Sequence, residues 1–310
     1  MDNFFISSTD HTHSYLPEYL AEYLGYYRDV DLNVKTDVPE VWTKVLKDIN
    51  AGTHQAVCGG IWVPSIYVQH GVEQYRAFCK LASVCGMMVV AREPMPEPFD
   101  WKWFENKMIM QPAYGGASPY IWLQGCLKEG GADLSKIKFI HDFEGEMLLE
   151  CFEKGDWGDV LFTGAYNAMR LEKEGKAHIV CKMGWRGGPT PWSVYYARKD
   201  ALDRNPELFG RFSLAIQRAI DWIRVHDAND CRDLIAQKFP GQDIDICVNL
   251  INEYRACGVW GESILIGKDE TDHYANYQVD VGTIDRVLDY DEIVDLRPYA
   301  YVQAQRSKSM

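Results

Sequence analysis

The stretch Asn3–Thr36, NFFISSTDHTHSYLPEYLAEYLGYYRDVDLNVKT, carries the pattern on which the fold depends. The apolar run Asn3–Ser8 predicts a short buried strand, and the alternating run Val30–Thr36 predicts a second strand. Between them, apolar side chains recur at helical spacing until Gly25, which is typical of an amphipathic helix with a glycine stop. This strand–helix–strand order predicts neighbouring parallel strands in an α/β sheet.

The same alternation of strands and helices continues along most of the chain. It runs to about residue 90, is interrupted by the proline-rich stretch Glu93–Asn106, and resumes at Lys107–Gln111. A second glycine- and proline-rich interruption covers Gly184–Trp192 and precedes a strand and a long amphipathic helix. We therefore expect two α/β lobes: residues 1–90 together with 191–310 form lobe 1, and residues 91–190 form lobe 2.

Composition narrows the class of partner and the cellular compartment. The 310 residues carry a formal net charge of −13, which disfavours nucleic acid and anionic membranes as partners. The first residues lack the features of a secretory signal, and the longest apolar run, Ala82–Ala91, is too short to span a membrane. Nine cysteines without paired spacing are typical of reduced thiols. The sequence thus predicts a cytoplasmic protein; its oligomeric state stays open.

A ligand site is expected where strands end and helices begin, because ligands of open α/β sheets bind at the carboxyl ends of strands. Five loops meet that description: Ser8–Ser14, Cys58–Trp62, Ala113–Ser118, Thr163–Tyr166 and Gly184–Trp192. They come from both expected lobes, as a cleft between lobes requires.

The glycine loop AYGGASPY is the candidate anion-binding element. Gly115 and Gly116 allow backbone amides to approach a ligand closely, Tyr114 precedes them, and Ser118 can cap the following helix. Exposed amides at a helix N-terminus bind a carboxylate, sulfonate or phosphate. The alternative is a capped helix start without a ligand.

Aromatic and polar residues of the other loops complete the expected binding surface. Aromatic walls with a few polar groups suit an arene or a flat heterocycle, and an arginine can pair with a carboxylate through two hydrogen bonds. The ligand-binding candidates here are Gly59, Trp62, Thr163, Tyr166, Trp185, Arg186 and Trp192. Ordinary core packing of the aromatic residues, and a solvated Arg186, are the alternatives.

Asp10, His11 and His13 form a dense polar group directly before the first helix. A histidine oriented by a carboxylate transfers protons near neutral pH, so these three residues are catalytic candidates. Cys58, at a strand end, is a fourth candidate, a nucleophile if a neighbouring base lowers its pKa. A metal ion on the His-x-His pair, a solvated His11 and an inert buried Cys58 are the alternatives. We predict no metal site and no cofactor.

The order of these motifs resembles one known family. The stretches YLPEYLAEYLGYYRDVDLNV, VLKDINAGTHQAVCGG, NKMIMQPAYGGASPYIWLQGCLKEGGADLSKIKFI and YYARKDALDRNPELFGRFSLAIQRAIDWI follow the order found in sulfonate- and pyrimidine-binding transport proteins and thiamine pyrimidine synthases. This resemblance spans most of residues 4–225. It implies the type II periplasmic-binding-protein fold, whose two lobes enclose a small, often anionic or heterocyclic ligand, and it extends to an intracellular branch of decarboxylases and a desulfinase.

Two classes of function follow, and the enzyme is the preferred one. It would be a lyase, a decarboxylase or a related enzyme that cleaves a C–X bond, acting on a small aromatic or heterocyclic acid. The alternative is a non-catalytic solute-binding protein of an ABC-type transporter, or a ligand carrier. Biosynthesis of a pyrimidine precursor is a further alternative, although Val63 and WRGGPTPWSV depart from the pyrimidine synthases.

Overall fold

The computed structural model describes residues 1–71, 75–112 and 118–309, and within them the chain alternates between strands and helices. The strands are β1 (Asp2–Ser8), β2 (Leu32–Asp37), β3 (Ala56–Gly59), β4 (Tyr75–Val84), β5 (Met88–Ala91), β6 (Met108–Met110), β7 (Lys138–Ile140), β8 (Val160–Thr163), β9 (His178–Lys182) and β10 (Pro189–Arg198). The helices are α1 (Leu16–Tyr23), α2 (Tyr26–Asp29), α3 (Lys44–Asn50), α4 (Trp62–His70), α5 (Ser118–Glu129), α6 (Gly145–Lys154), α7 (Ala165–Lys173), α8 (Met183–Arg186), α9 (Lys199–Arg204), α10 (Pro206–Val225), α11 (Arg232–Lys238), α12 (Ile244–Cys257), α13 (Lys268–Asp280), α14 (Tyr290–Ile293) and α15 (Arg297–Ser309). Short 3-10 helices cover His13–Tyr15, Trp101–Phe104, Leu134–Lys136 and Ala228–Cys231.

The strands form two five-stranded sheets of the same design. The first has the order β2-β1-β3-β10-β4 and the second the order β7-β6-β8-β5-β9. In each sheet, three neighbouring strands are parallel and the remaining two pair antiparallel. Strands of one sheet that a helix connects therefore run parallel to one another. Strands β5 and β10 pair antiparallel with their neighbours, and the chain enters each of these two strands from the other sheet.

The chain passes between the sheets twice, after Val84 and after Lys182. The apolar stretch around residues 78–93 is thus two strands in different sheets. The predicted interruption Gly184–Trp192 is also wrong in part, because it contains most of α8 and the start of β10. Pro189 begins β10 opposite Val84, before a shift in register, where a missing N–H is tolerated. The assignment of residues 1–90 and 191–310 to one lobe and 91–190 to the other stays a prediction.

The C-terminal helices contact elements of both sheets. Helix α12 packs on the 3-10 helix His13–Tyr15, which follows β1, and also on α7, which follows β8 of the second sheet. Helix α13 packs on β10 of the first sheet and on α5, which follows β6 of the second sheet. Helix α10 lies against α1 and α15, with Phe212 stacked on Phe4 at 4.3 Å. These contacts hold the carboxyl edges of the two sheets close together.

Candidate functional site

Each sheet has a point where the direction of its strand order reverses, and these two points define the candidate site. In the first sheet, the chain leaves β1 to one side for β2 and then returns to the other side for β3. In the second sheet, it leaves β6 for β7 and returns for β8. A crevice opens at such a reversal beyond the carboxyl ends of the strands, and it is the usual ligand position in open α/β sheets.

The two crevices lie close to each other. A Cβ atom on Gly60, after β3, would be 2.6 Å from Oγ of Ser118, the first residue of α5. The Ser118 hydroxyl also accepts a hydrogen bond from Tyr274 at 3.3 Å. Two predicted loops, one from each sheet, therefore meet here. The predicted residues Tyr114, Gly115 and Gly116 lie outside the described residues.

The first-sheet half of the crevice is a polar floor built on β1 and β3. Ser8 pairs in register with Cys58, and the backbone N–H of Thr9 donates to the Cys58 carbonyl at 2.9 Å. The Ser8 hydroxyl donates to the carbonyl of Asp10 at 2.8 Å, which folds the loop back over the strand end. Tyr15, also buried, lies beside this floor, and burial raises the pKa of its hydroxyl well above the usual range.

Asp10 and His11 stand at the mouth of this floor. Asp10 is exposed to solvent, but neighbouring protein atoms desolvate its carboxyl enough to raise its pKa, an effect opposed by the hydrogen bond from the His11 N–H at 2.7 Å. The His11 ring is held from both sides, 2.8 Å from the Lys238 carbonyl and 3.0 Å from the Tyr19 hydroxyl. Both residues are therefore placed to contact a ligand, with His11 fixed in orientation.

His13 lies in a different environment, an aromatic stack. Its ring is parallel to Phe239 at 3.8 Å and to Tyr166 at 5.9 Å, and Nε2 lies 3.4 Å from Sγ of Cys247. Burial lowers the pKa of His13 to about 4. The neutral, buried imidazole packs the loop after β1 against α7. This environment does not favour proton transfer to a ligand.

Cys58 is fully buried, and burial raises the pKa of its thiol far above the usual range in spite of hydrogen bonds from Tyr15 and Ser8. A thiol held neutral is a poor nucleophile. Gly59 follows it and packs against Thr9, whose Cγ2 would be 2.9 Å from a Cβ at that position. Cys58 and Gly59 thus shape the floor of the crevice, and the geometry favours the inert reading of the cysteine.

Tryptophans cover part of the rim. Trp62 opens α4, lies over Gly60 and stacks on Trp42 with centroids 5.2 Å apart. Trp192, half buried on β10, packs against the hydrophobic cores on both faces of the sheet. Sequence reasoning found Trp62 and Trp192 because each stands beside a loop, but it missed Trp42, which lies before α3 and is brought here only by packing.

The second-sheet half combines helix starts and strand ends. Thr163 ends β8 and is buried, and Tyr166 lies in the first turn of α7, where its hydroxyl accepts from the Asp243 N–H at 2.9 Å. In the described chain, helix α7 begins at the second-sheet crevice without a side-chain cap, and its first-turn amides and positive dipole end favour an electronegative ligand atom. The first turns of α1 and α4 offer fewer donors, because Pro17 and Pro64 have no N–H and the N–H groups of Leu16 and Val63 donate to the carbonyls of His13 and Gly60.

Trp185 and Arg186 are not brought to the crevices. They line a surface groove of about 640 Å³ along the edge strand β9, where the Trp185 indole donates to Glu253 and Arg186 lies 4.7 Å from the Phe99 ring centroid. The sequence placed them with the other loops because Gly184–Trp192 looked like a single loop, whereas α8 turns this part of it away.

A second cavity, of about 380 Å³, lies beside Asp10 and His11 and is lined by Glu18 of α1. Glu18 is 4% exposed, and Tyr195 and Thr36 donate hydrogen bonds to its two carboxylate oxygens. Burial raises the pKa of Glu18. Sequence reasoning missed this residue because its position in the amphipathic pattern looked like an exposed face.

Two further properties bear on the class of site. Residues 1–71, 75–112 and 118–309 contain no group of three or more His, Cys, Asp or Glu side chains arranged to hold a metal ion. In the same part of the chain, none of the helices combines the length and apolar character that a membrane crossing requires.

Comparison with known proteins bears on the fold and on the class of function. No protein-family model matches the chain. The Bacillus subtilis (strain 168) protein named "Putative binding protein YtlA" is 26% identical over 297 residues, which cover 94% of this chain and 86% of that protein. The similarity extends over nearly the full described fold.

Solved structures give the same picture. The periplasmic aliphatic sulphonate binding protein SsuA from Escherichia coli has a TM-score of 0.73 at 13% identity and covers 95% of this chain and 92% of its own. The periplasmic nitrate-binding protein NrtA from Synechocystis PCC 6803 has a TM-score of 0.72 at 11% identity, covering 98% and 89%. The chain has the two-lobed type II periplasmic-binding-protein fold, so the predicted fold is confirmed. These comparisons favour the binding alternative over the lyase.

Proposed function

We propose that this protein is a non-catalytic binding protein that encloses a small organic acid between its two sheets, as the solute-binding component of an ABC-type transporter or as a ligand carrier. The observation that carries the proposal is the meeting of the two crevices, where Gly60 and Ser118 approach each other from different sheets. Similarity to a protein named as a binding protein, and to sulphonate- and nitrate-binding proteins, supports it.

The electrostatics of the crevices suit an electronegative group. The start of α7, which has no side-chain cap in the described chain, supplies backbone N–H donors without a full positive charge. Such donors bind an oxyacid group while leaving it free to dissociate, as reversible transport requires. Trp62 and Tyr15 provide apolar surface for the rest of the ligand. An aromatic or heterocyclic ring remains part of the proposal.

The chemistry expected of a lyase finds less support in the described residues. His13 is covered on both faces, and Cys58 is buried with a neutral thiol, so two of the four catalytic candidates lack access or reactivity. Asp10 and His11 are placed at the crevice mouth, where they suit ligand contact. The cytoplasmic location stays a prediction from sequence.

Differential scanning fluorimetry with a panel of small acids tests the proposal, followed by calorimetry for each hit. The panel contains alkyl sulfonates, nitrate, benzoate, nicotinate and pyridine-3-sulfonate. A ligand of the native state raises Tm, by a free energy that grows with ligand concentration over Kd. We expect at least one acid to bind one-to-one and to be recovered unchanged after prolonged incubation. Recovery of a decarboxylated or desulfonated product would establish the lyase instead.

A further inference from the structure

Gln111 is a buried polar residue at the second-sheet crevice. It directly follows β6 and is 0% exposed, and neither its Nε2 nor its Oε1 has a hydrogen-bond partner among residues 1–71, 75–112 and 118–309. A buried amide costs free energy unless its donor and acceptor are both satisfied. A ligand that brings the missing groups removes that cost, so Gln111 is a group held ready for binding.

His141 repeats this feature on the neighbouring strand. Met110 pairs in register with Ile140, so Gln111 stands beside His141, and the Gln111 N–H donates to the Ile140 carbonyl at 2.9 Å. Nδ1 of His141 is buried and also lacks a partner in the described chain. Two unsatisfied polar side chains therefore lie side by side at adjacent strand ends.

Both side chains point to the face of the sheet that α5 covers. In parallel strands, paired residues share a face and alternate residues return to it, so Gln111 and His141 share a face with Ile109 and Phe139. Ile109 and Phe139 belong to the same hydrophobic cluster as Ile121 of α5. The ring of Tyr120, in the first turn of α5, lies 5.2 Å from that of His141. The pair is thus beneath the N-terminus of a twelve-residue helix.

We propose that Gln111 and His141 form the polar floor of a ligand subsite beneath the N-terminus of α5, and that this subsite takes a group with a hydrogen-bond donor beside an acceptor, as in a lactam or a primary amide. This inference rests on the proposed binding function and narrows its ligand class. Sulfonate and nitrate groups offer acceptors only and would leave Oε1 of Gln111 unpaired. A lactam satisfies both atoms of the amide, with its carbonyl oxygen nearest the amides of α5.

Three related compounds separate the two contributions. Nicotinate carries the acid, 2-pyridone carries the lactam, and 6-oxo-1,6-dihydropyridine-3-carboxylate carries both on the same ring. Binding is measured by calorimetry to the wild type, to Gln111→Met and to the control Gln278→Met. Gln278 is 1% exposed and neither of its amide atoms has a partner among the described residues, but it lies within helix α13 and not at a strand end of the second sheet.

We expect the oxo-acid to bind wild type at least tenfold more tightly than nicotinate does. Gln111→Met should abolish that advantage, and Gln278→Met should retain it. Without ligand, Gln111→Met should have a Tm equal to or above that of wild type, because an unpaired buried amide is replaced by an apolar side chain of similar size.

Four results would overturn the inference. They are nicotinate binding as tightly as the oxo-acid, an undiminished lactam advantage in Gln111→Met, a lower Tm for ligand-free Gln111→Met, and the absence of binding by both lactam compounds. The proposed binding function fails separately, when the whole panel of small acids also shows no binding to wild type.

Discussion

The imidazole of His13 stacks on the ring of Phe239, with centroids 3.8 Å apart and planes 14° from parallel. The two residues lie 226 positions apart in the chain, and Tyr166 of α7 covers the other face of the imidazole at 5.9 Å. His13, which is 5% exposed, therefore joins three parts of the molecule. These are the loop after β1, the segment that follows α11, and helix α7. Protonation of His13 therefore opposes its packing between Phe239 and Tyr166.

Acidification should destabilise the protein through His13. Its pKa falls from an ordinary 6.5 to about 4 on folding, so between these values the unfolded chain binds the extra proton. Stability from this residue is full above pH 6.5 and is lost as the pH falls to 4, by about 3 kcal/mol for a shift of this size. Urea denaturation at pH 7.5, 5.5 and 4.5 measures the loss.

His13→Phe should remove this part of the pH dependence while preserving the stack. His226→Phe is the matched control, since His226 also stacks on an aromatic ring, Trp222, at 4.1 Å but leaves His13 in place. The control should retain the full loss on acidification. Equal pH profiles for wild type and His13→Phe would contradict the assignment.

How far the site could be predicted from sequence depends on the range of the interactions involved. The strand end at Cys58–Gly60 and the helix starts at Trp62 and Ser118 follow from local patterns, and the structure has them within one or two residues. The environment of His13 does not, because Phe239 reaches it only through tertiary packing. A polar loop before a helix has the same appearance whether its histidines are solvated or stacked.

The burial of polar residues within strands and helices was also not predictable from the sequence. Gln111 ends a short apolar strand and Glu18 lies within an amphipathic helix, and both positions are compatible with exposure. Their burial depends on neighbouring elements: Tyr195 and Thr36 close over Glu18, and α5 covers the face of β6 on which Gln111 lies. Such groups can be recognised only when hydrogen-bond partners are counted in three dimensions.

Gly60→Ala should weaken ligand binding by holding the crevices apart. A Cβ at this position would lie 2.4 Å from Cδ1 of Trp62 and 2.6 Å from Oγ of Ser118, closer than real Cβ contacts. We expect a loss of affinity of about tenfold or more, or roughly 1.4 kcal/mol, with a larger radius of gyration in solution scattering. Gly145→Ala is the control, since its nearest contact would be an ordinary 3.8 Å to Pro112. Unchanged affinity in Gly60→Ala would argue against closure at this contact.

Glu18→Gln should stabilise the protein increasingly as the pH rises. Burial raises the pKa of Glu18 above its ordinary 4.5, so the folded state prefers the protonated carboxyl. Its contribution to stability is full below pH 4.5 and declines as the pH rises toward the folded-state pKa. The neutral amide avoids that decline, and Tm measured from pH 5 to pH 8 should show a growing advantage over wild type. A constant difference across this range would mean that Glu18 keeps an ordinary pKa.

Cys58 should resist alkylation in the native state. Its thiol is 0% exposed, and burial raises its pKa, so the reactive thiolate is scarce. Iodoacetamide at pH 8, with peptide mass spectrometry, should modify the half-buried Cys151 and Cys257 first and Cys58 only at the rate of unfolding. Rapid labelling of Cys58 in folded protein would restore it as a nucleophile candidate.

Asp10→Asn should increase the affinity for an anionic ligand near neutral pH. Desolvation raises the pKa of the Asp10 carboxyl, but the ionised form at the crevice mouth repels an acid bound beside it. Removing that charge should tighten binding on the order of tenfold, since like charges a few ångströms apart interact by one to a few kcal/mol in partly screened surroundings. Wild-type affinity should rise as the pH falls and Asp10 takes up a proton, whereas Asp10→Asn should show a flatter profile.

Asp37→Asn removes the same charge from a carboxylate that is 73% exposed and paired with His54, and should change affinity little. Weaker binding in Asp10→Asn would instead mean that the carboxylate accepts a hydrogen bond from the ligand, and that the bound molecule presents a donor at the first-sheet half as well.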